Sequence, residues 1–302
     1  MIDAHVHFIP DDFYRHPRKY FRDPEIRDYL CDVGFARIAE LHGGRLPTWE
    51  EYWDRVLRQP GRRAVVFGLS DHPEGCRLVN EAVWELSRRH PDKVIPFVFL
   101  PLSDPREWQR QLRWAREELG IRGAKIYPSM FRLEMCSPEV LSCLGACADA
   151  RMVVITDCTF LMEAGSTAGP LSGNWLHALV LSGALDEMPR LRLIAAHLGG
   201  GAVFLGELLA FWRHFGHPQA AEDSQPFRQV WFDTSPFFSS RTLEAAVRAV
   251  GCDRLVFGSD FPFSFGNEGM TALERTRLTP EERLRILYNN MMDLLSGQAG
   301  AE

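Results

Sequence analysis

Three short stretches carry side chains that could bind a metal ion or move a proton. The first is His5-Val6-His7, near the start of the chain. Residues two apart on a β-strand point to the same side, so both imidazoles could converge on one ion. The second is His197, which follows an apolar run and precedes three glycines that would let a ligand approach the backbone. The third is Asp260, where a carboxylate at the tip of a buried run needs a partner or a metal.

Each of these candidates lies at or near the end of a strand-like run. Eight such runs precede segments that mostly have a helical pattern: Ile2–Phe8, Ala64–Leu69, Val94–Leu100, Ala124–Tyr127, Met152–Thr156, Leu191–His197, Val230–Thr234 and Arg254–Ser259. From the second to the fifth they recur about every 30 residues, the length of one βα unit. Strands that alternate with helices predict a parallel sheet, and eight of them favour a closed (β/α)₈ TIM barrel over an open sheet.

A closed barrel would bring the candidates to one rim. Their runs are the first, sixth and eighth, and the first and eighth strands are neighbours in such a barrel. Imidazole and carboxylate ligands of this kind suit Zn²⁺, Mn²⁺ or Fe²⁺, and Zn²⁺ is our first choice. For each residue alone, a structural hydrogen bond explains its position about as well as catalysis does. The shared rim is what favours a metal site.

The connections predict where specificity residues lie. About 55 residues separate the first run from the second, and this predicted insertion after strand 1 is rich in Arg, Tyr, Phe and Trp. Helix starts are marked by Asp104-Pro105, by Ser137-Pro138 and by the capping-box pair Thr279 and Glu282. No low-complexity linker divides the chain, so we predict one domain over residues 1–302.

Composition excludes several classes of partner. Hydrophobic residues make up 46% and charged residues 25%, which is an ordinary globular balance, and the net charge of −6 argues against nucleic acid. No apolar run is long enough to span a bilayer, and the N-terminus lacks the pattern of a signal peptide, so we expect a cytoplasmic protein if the chain starts at Met1. The seven scattered cysteines argue against a disulfide framework. We expect a small-molecule substrate and leave a homodimer open.

Taken together, the motifs resemble those of the amidohydrolase-related family, and the resemblance covers essentially the whole chain. That family includes aminocarboxymuconate-semialdehyde and resorcylate decarboxylases and certain lactonases. The matching segments are IDAHVH at residues 2–7, GAKIYP at 123–128, AHLGG at 196–200, FDTS at 232–235, FGSDFP at 257–262 and Asn290.

The resemblance implies roles for particular residues. His5 and His7 would be metal ligands, and Asp260 would be a ligand and, in hydrolytic members, the proton acceptor for the attacking water. His197 would be a catalytic acid or base. Lys125 matches a strand-four lysine that contacts substrate in some relatives and, when carboxylated, bridges two metals in others.

One position departs from the family's pattern. The tip of the fifth strand usually carries a metal-binding histidine, and here the chain has Thr156, followed by Asp157. We therefore expect a mononuclear and weaker metal site, with Thr156 facing substrate. Asp157 is an alternative ligand, although alternation along a strand aims it away from the side of Thr156.

Three functions remain open at this point. The first is a metal-dependent hydrolase of an ester, lactone or amide bond in a small carboxylated or aromatic substrate, with Asp260 as base and His197 acting on the oxyanion. The second is a metal-dependent decarboxylase in which His197 protonates the carbon that loses CO₂ and arginines of the insertion, such as Arg15, Arg18 and Arg22, hold the carboxylate. The third is a non-catalytic barrel. We expect the hydrolase.

Overall fold

The computed structural model describes residues 1–13, 15–28, 30–31, 35–158, 172–216, 227–236 and 239–298. The strands in these residues are β1 Ile2–His7, β2 Arg63–Phe67, β3 Val94–Pro96, β4 Val98–Phe99, β5 Gly123–Ile126, β6 Val153–Thr156, β7 Arg192–Ala195, β8 Val230–Asp233 and β9 Leu255–Val256. β3 and β4 are two parts of one strand, interrupted at Phe97, whose backbone N–H donates to the carbonyl of Val66 at 2.9 Å. The strands therefore occupy eight positions, as predicted.

Neighbouring positions pair in parallel in chain order, and the first and last positions close the sheet. The backbone N–H of Ala4 donates to the carbonyl of Phe257 at 2.7 Å, and a parallel bridge joins Val6 to Phe261. The predicted closed barrel is confirmed.

Helices alternate with the strands along the chain. They are α1 Pro24–Asp28, α2 Ala36–Leu41, α3 Trp49–Tyr52, α4 Pro73–Arg89, α5 Pro105–Arg113, α6 Pro138–Asp149, α7 Ser172–Leu181, α8 Ala184–Glu187, α9 Ala196–Gly200, α10 Gly206–Gly216, α11 Ser240–Val250, α12 Asn267–Glu274, α13 Pro280–Leu284 and α14 Asn290–Ser296. The predicted helix starts are confirmed: Asp104 caps α5, Ser137 caps α6, and Thr279 forms a capping box with Glu282. In the described part of the chain, no helix combines the length and apolar character needed to cross a bilayer.

The strands are apolar on both faces because one face lines the barrel interior and the other packs against the helices. In β6, Val153 and Ile155 belong to the interior cluster, whereas Val154 belongs to the outer cluster. In β8, Trp231 faces the interior and Phe232 faces the helices. The same alternation decides which residues at the strand ends can reach a site in the barrel mouth.

The insertion after β1 contains α1, α2 and α3. Its aromatic side chains Phe13, Phe21 and Phe35 pack in one cluster with Tyr127 and Met130, which follow β5. The insertion is therefore held against the carboxyl-terminal rim of the barrel by apolar burial.

Candidate active site

A bulge in β1 turns both of its histidines towards the barrel interior. The pairing of β1 with β2 shifts register between Asp3 and Val6. Ala4 belongs to the interior cluster and Val6 to an outer one, so the interior side changes from even to odd residue numbers within the strand. A bulge has this effect because it adds one residue to one strand only. His5 and His7 consequently lie above the interior cluster, and both are buried.

These two imidazoles form a compact ligand set with Asp260. Nε2 of His5 lies 3.1 Å from Nε2 of His7 and 3.4 Å from Oδ1 of Asp260, and Nε2 of His7 lies 3.2 Å from the same oxygen. Metal–ligand bonds of about 2.0–2.2 Å put neighbouring ligand atoms at about this separation. Asp260 has a φ of 62°, a left-handed conformation that Asp adopts more readily than most residues. The three side chains therefore fit one divalent ion.

The protonation of the histidines also suits a metal. Burial and the charge of Lys125 lower the pKa of His5 to about 4, and the same two causes hold the pKa of His7 well below its usual value. Both imidazoles are therefore neutral near pH 7, which is the form that binds a metal ion.

Asp233 is also a buried part of this site, and in the sequence it stands out only as a member of the FDTS segment at 232–235. Its Oδ2 lies 2.7 Å from Nδ1 of His5, and its Oδ1 accepts a hydrogen bond from the backbone N–H of His197 at 3.0 Å. His5, His197 and Asp233 also offer three ligand atoms near one another. Because Nδ1 of His5 is already hydrogen-bonded to Asp233, we interpret this second group as a hydrogen-bond network.

His197 lies on a left-handed turn that follows β7. Its φ is 59°, and Leu198 and Gly199 share this conformation, so the element α9 is not an ordinary helix. Nε2 of His197 lies 3.3 Å from Oδ2 of Asp157, and its Nδ1 lies 3.0 Å from the carbonyl oxygen of Ser235. The turn thus points the imidazole into the barrel mouth.

The carboxylates around His197 keep it protonated. Burial alone would lower its pKa, but the hydrogen bond to Asp157 and the charges of Asp260, Asp157 and Asp233 outweigh burial and raise the pKa to about 10. A protonated imidazole at neutral pH is a proton donor.

Lys125 brings a second cation to the same place. Its side chain is fully buried, and its Nζ has no hydrogen-bond partner among the described residues. Nζ lies 3.9 Å from Oδ2 of Asp157 and 5.0 Å from the centre of the Phe67 ring. A buried ammonium is costly unless something compensates its charge, and the long contact with Asp157 does so only partly.

The end of β6 differs from our expectation for its two polar residues. The hydroxyl of Thr156 contacts Sδ of Met135 at 3.8 Å and the carbonyl of Asp157 at 3.3 Å, on the helix-facing side of the sheet. Asp157 is the residue that faces the barrel mouth, beside Lys125 and His197. Because Val153 and Ile155 point inward, the next inward position is Asp157, and Thr156 cannot contact a ligand there.

Aromatic rings lie beside His7, in place of the arginines that we expected. The ring centre of Phe67 lies 5.0 Å from that of His7 in an edge-on arrangement, and the ring centre of Phe263 lies 6.4 Å from that of His7. Arg15, Arg18 and Arg22 of the insertion are exposed, and Arg22 pairs with Glu74. Our expectation that they hold a substrate carboxylate is not supported by this geometry.

Comparison with known proteins identifies the family. The sequence model of the amidohydrolase family matches residues 2–296. The chain therefore belongs to the amidohydrolase family, and it is an enzyme of the amidohydrolase superfamily.

Its relatives include decarboxylases. The chain is 24% identical to the gamma-resorcylate decarboxylase of Polaromonas sp., over 95% of this chain and 92% of the relative. It is 27% identical to the decarboxylase orsB of Emericella nidulans, over 90% of this chain and 88% of the relative. The crystal structure of a dihydroxybenzoic acid decarboxylase from Polaromonas sp., with bound manganese and the inhibitor 2-nitroresorcinol, superposes with a TM-score of 0.66 at 19% identity and covers 98% of this chain and 96% of that one. This last likeness shows the fold.

These relatives overturn our expectation of a hydrolase. Both sequence relatives are decarboxylases, so the reaction that we placed second is the better supported one and the expected hydrolysis of an ester, lactone or amide is wrong. The residues alone could not separate the two reactions, because hydrolysis and decarboxylation would both use a metal ion and a histidine at this rim. The ligand set and the family support a divalent metal ion.

Proposed function

We propose that the chain is a divalent-metal-dependent decarboxylase of a small aromatic carboxylic acid that carries a hydroxyl group beside the carboxylate. The observation that carries this proposal is the pair of buried cations, Lys125 and His197, next to the three metal ligands. Lys125 has no hydrogen-bond partner among the described residues, and the carboxylates around His197 raise its pKa. The decarboxylase relatives provide independent support.

His5, His7 and Asp260 would hold the ion. Two imidazoles and a carboxylate suit Zn²⁺, which we propose, and also Mn²⁺ or Fe²⁺; manganese is bound in the Polaromonas structure. When bound, the ion supplies a Lewis acid that polarises a substrate oxygen. We expect one ion, because the groups that suit a metal ion within the described residues share His5.

Decarboxylation needs a proton donor at the carbon that loses CO₂. His197 would give the proton from Nε2 to this ring carbon. The bond from that carbon to the carboxylate then breaks, its electron pair restores the aromatic ring, and CO₂ leaves. His197 is left neutral, and its Nε2, which lies 3.3 Å from Oδ2 of Asp157 before the transfer, takes a new proton from solvent. A positioned acid of this kind typically contributes about 10²–10⁴-fold to a rate.

Lys125 would bind an anionic oxygen of the substrate. Its Nζ, which has no hydrogen-bond partner among the described residues, would gain a closer negative charge than that of Asp157 at 3.9 Å. The ring of the substrate would lie against Phe67 and Phe263, whose rings contact His7. We do not propose a substrate contact for Thr156, because its hydroxyl faces Met135.

A panel of acids tests this proposal. The protein, loaded with Zn²⁺ or Mn²⁺ in parallel samples, is given 2,6-dihydroxybenzoate, 2-hydroxybenzoate and benzoate, and loss of each acid is followed by chromatography. We expect turnover of one or both hydroxylated acids and none of benzoate. Equal turnover of benzoate would exclude the role of the neighbouring hydroxyl, and no turnover of any of the three would contradict the proposed substrate class.

A further inference from the structure

The carboxylate of Asp233 connects the metal ligands to the turn that carries His197. Asp233 ends β8 and is fully buried. One of its oxygens, Oδ2, contacts Nδ1 of His5 at 2.7 Å. The other, Oδ1, accepts hydrogen bonds from the backbone N–H of His197 at 3.0 Å and from the backbone N–H and hydroxyl of Ser235 at 3.0 Å and 2.7 Å.

This arrangement decides which nitrogen of His5 carries its proton. Three donors converge on Oδ1, namely the backbone N–H of His197 and the backbone N–H and hydroxyl of Ser235, and hydrogen bonds of this kind stabilise the ionised carboxylate. An ionised carboxylate can only accept, so Nδ1 of His5 must donate. The lone pair of Nε2 then faces His7 and Asp260. A carboxylate behind a metal-binding imidazole commonly has this orienting effect.

The same carboxylate supports an unfavourable backbone conformation. His197 and Leu198 have φ values of 59° and 52°, and this left-handed region is disfavoured for residues other than glycine. The N–H of His197, at the start of the turn, is held by Oδ1 of Asp233. Loss of that acceptor would leave a buried N–H without a partner at the start of the turn.

We propose that Asp233 is a positioning residue that couples metal binding by His5 to the orientation of His197. One oxygen sets the proton on His5 and the other holds the turn that aims the proton donor. The inference rests on the proposed metal site but not on the reaction, so failure of the decarboxylase assay would leave it intact.

The Asp233→Asn variant tests this coupling because an amide cannot replace the carboxylate on both sides. It has one acceptor oxygen and one donor NH₂ group. If the NH₂ faces His5, Nδ1 must accept and the proton moves to Nε2. If it faces the turn, it meets three donors, from His197 and Ser235. The first orientation disturbs metal binding by His5, and the second disturbs the turn that carries His197.

The readouts are the dissociation constant for Zn²⁺, from competition with a chelator, and the protonation of His5, from ¹⁵N spectra of histidine-labelled metal-free protein. We expect wild-type His5 to carry its proton on Nδ1, and Asp233→Asn to weaken metal binding by about 10-fold or more. The His5→Gln variant assigns the His5 signals.

Asp3→Asn is the matched control for loss of a buried carboxylate. Asp3 is also fully buried and accepts from Tyr52, from Ser259 and from the backbone N–H of His5, but it does not contact the imidazole. Asp3→Asn should therefore leave the tautomer and the metal affinity nearly unchanged. The inference is overturned if Asp233→Asn leaves both the Zn²⁺ affinity and the His197 signals of the same spectra as in wild type, or if Asp3→Asn weakens Zn²⁺ binding equally. If Asp233→Asn does not fold, a wild-type His5 that carries its proton on Nε2 overturns it as well.

Discussion

Oδ2 of Asp157 lies 3.3 Å from Nε2 of His197, and Asp157 directly follows the end of β6. The same oxygen lies 3.9 Å from Nζ of Lys125. Asp157 therefore belongs to a buried cluster of one anion and two cations, with Lys125 and His197.

His197→Asn should lower the turnover number by about 10²-fold or more, the usual contribution of a positioned acid, because asparagine cannot release a proton. The melting temperature should change by only a few degrees, since asparagine keeps a polar side chain and also tolerates the left-handed conformation. Steady-state kinetics and calorimetry measure the two effects. The exposed His16, changed to Asn, is the control and should behave as wild type. Near-normal turnover by His197→Asn would show that His197 is structural.

Lys125→Met should raise KM by about 10-fold or more if Nζ binds an anionic oxygen of the substrate, because hydrogen bonds to charged groups contribute about 1.5–3 kcal/mol. Stability without substrate should be equal or higher, since methionine fills the space without a buried charge. Lys93→Met, which removes a surface lysine bonded to the carbonyl of Gln59, is the control. Unchanged KM would exclude Lys125 from the substrate site.

The variants Asp157→Asn and Thr156→His test which of the two residues at the end of β6 faces the site. Asp157→Asn should lower turnover strongly, because His197 loses its charged partner, while metal affinity changes little. Thr156→His should not raise metal affinity, since residue 156 faces Met135, and overpacking there should cost about 1–3 kcal/mol of stability. Metal titration and urea unfolding provide the comparison. Tighter metal binding in Thr156→His would mean that residue 156 faces the ion after all.

Gly199→Ala tests the turn that carries His197. Gly199 has a φ of 64°, and an added Cβ would lie 2.9 Å from side-chain atoms of Leu176 and Phe232. Gly201 has a φ of 95° with open space around it. Both alanine variants should lose about 1–2 kcal/mol from the left-handed conformation, but only Gly199→Ala should also displace His197 and reduce turnover. Equal activity of the two variants would contradict this account of the turn.

The sequence predicted the barrel and its closure because βα periodicity and helix caps are local signals. The strand ends were harder to predict. The sixth and eighth predicted runs include His197 and Ser259, whereas β7 ends at Ala195 and β9 ends at Val256. The chain then enters left-handed conformations at His197 and Asp260, and no pattern of side chains in those runs signals such a turn.

The orientation of Thr156 and Asp157 could not be predicted for a different reason. β6 is apolar at Val153, Val154 and Ile155, so alternation does not show which face is the interior. The bulge in β1 raises the same difficulty, since Ala4 and His5 are both directed inward despite being adjacent. Asp233 was missed because its importance depends on contacts with His5 and His197, which are 228 and 36 residues away along the chain.

Metal-dependent release of CO₂ tests the central claim most directly. Protein stripped with a chelator is reloaded with Zn²⁺ or Mn²⁺ and incubated in D₂O with 2,6-dihydroxybenzoate labelled with ¹³C in its carboxyl group. We predict that labelled CO₂ appears only after reloading, and that each product molecule carries one deuterium at the carbon that lost the carboxylate. Labelled CO₂ at an equal rate from the stripped protein, or no labelled CO₂ from the reloaded protein, would contradict the account.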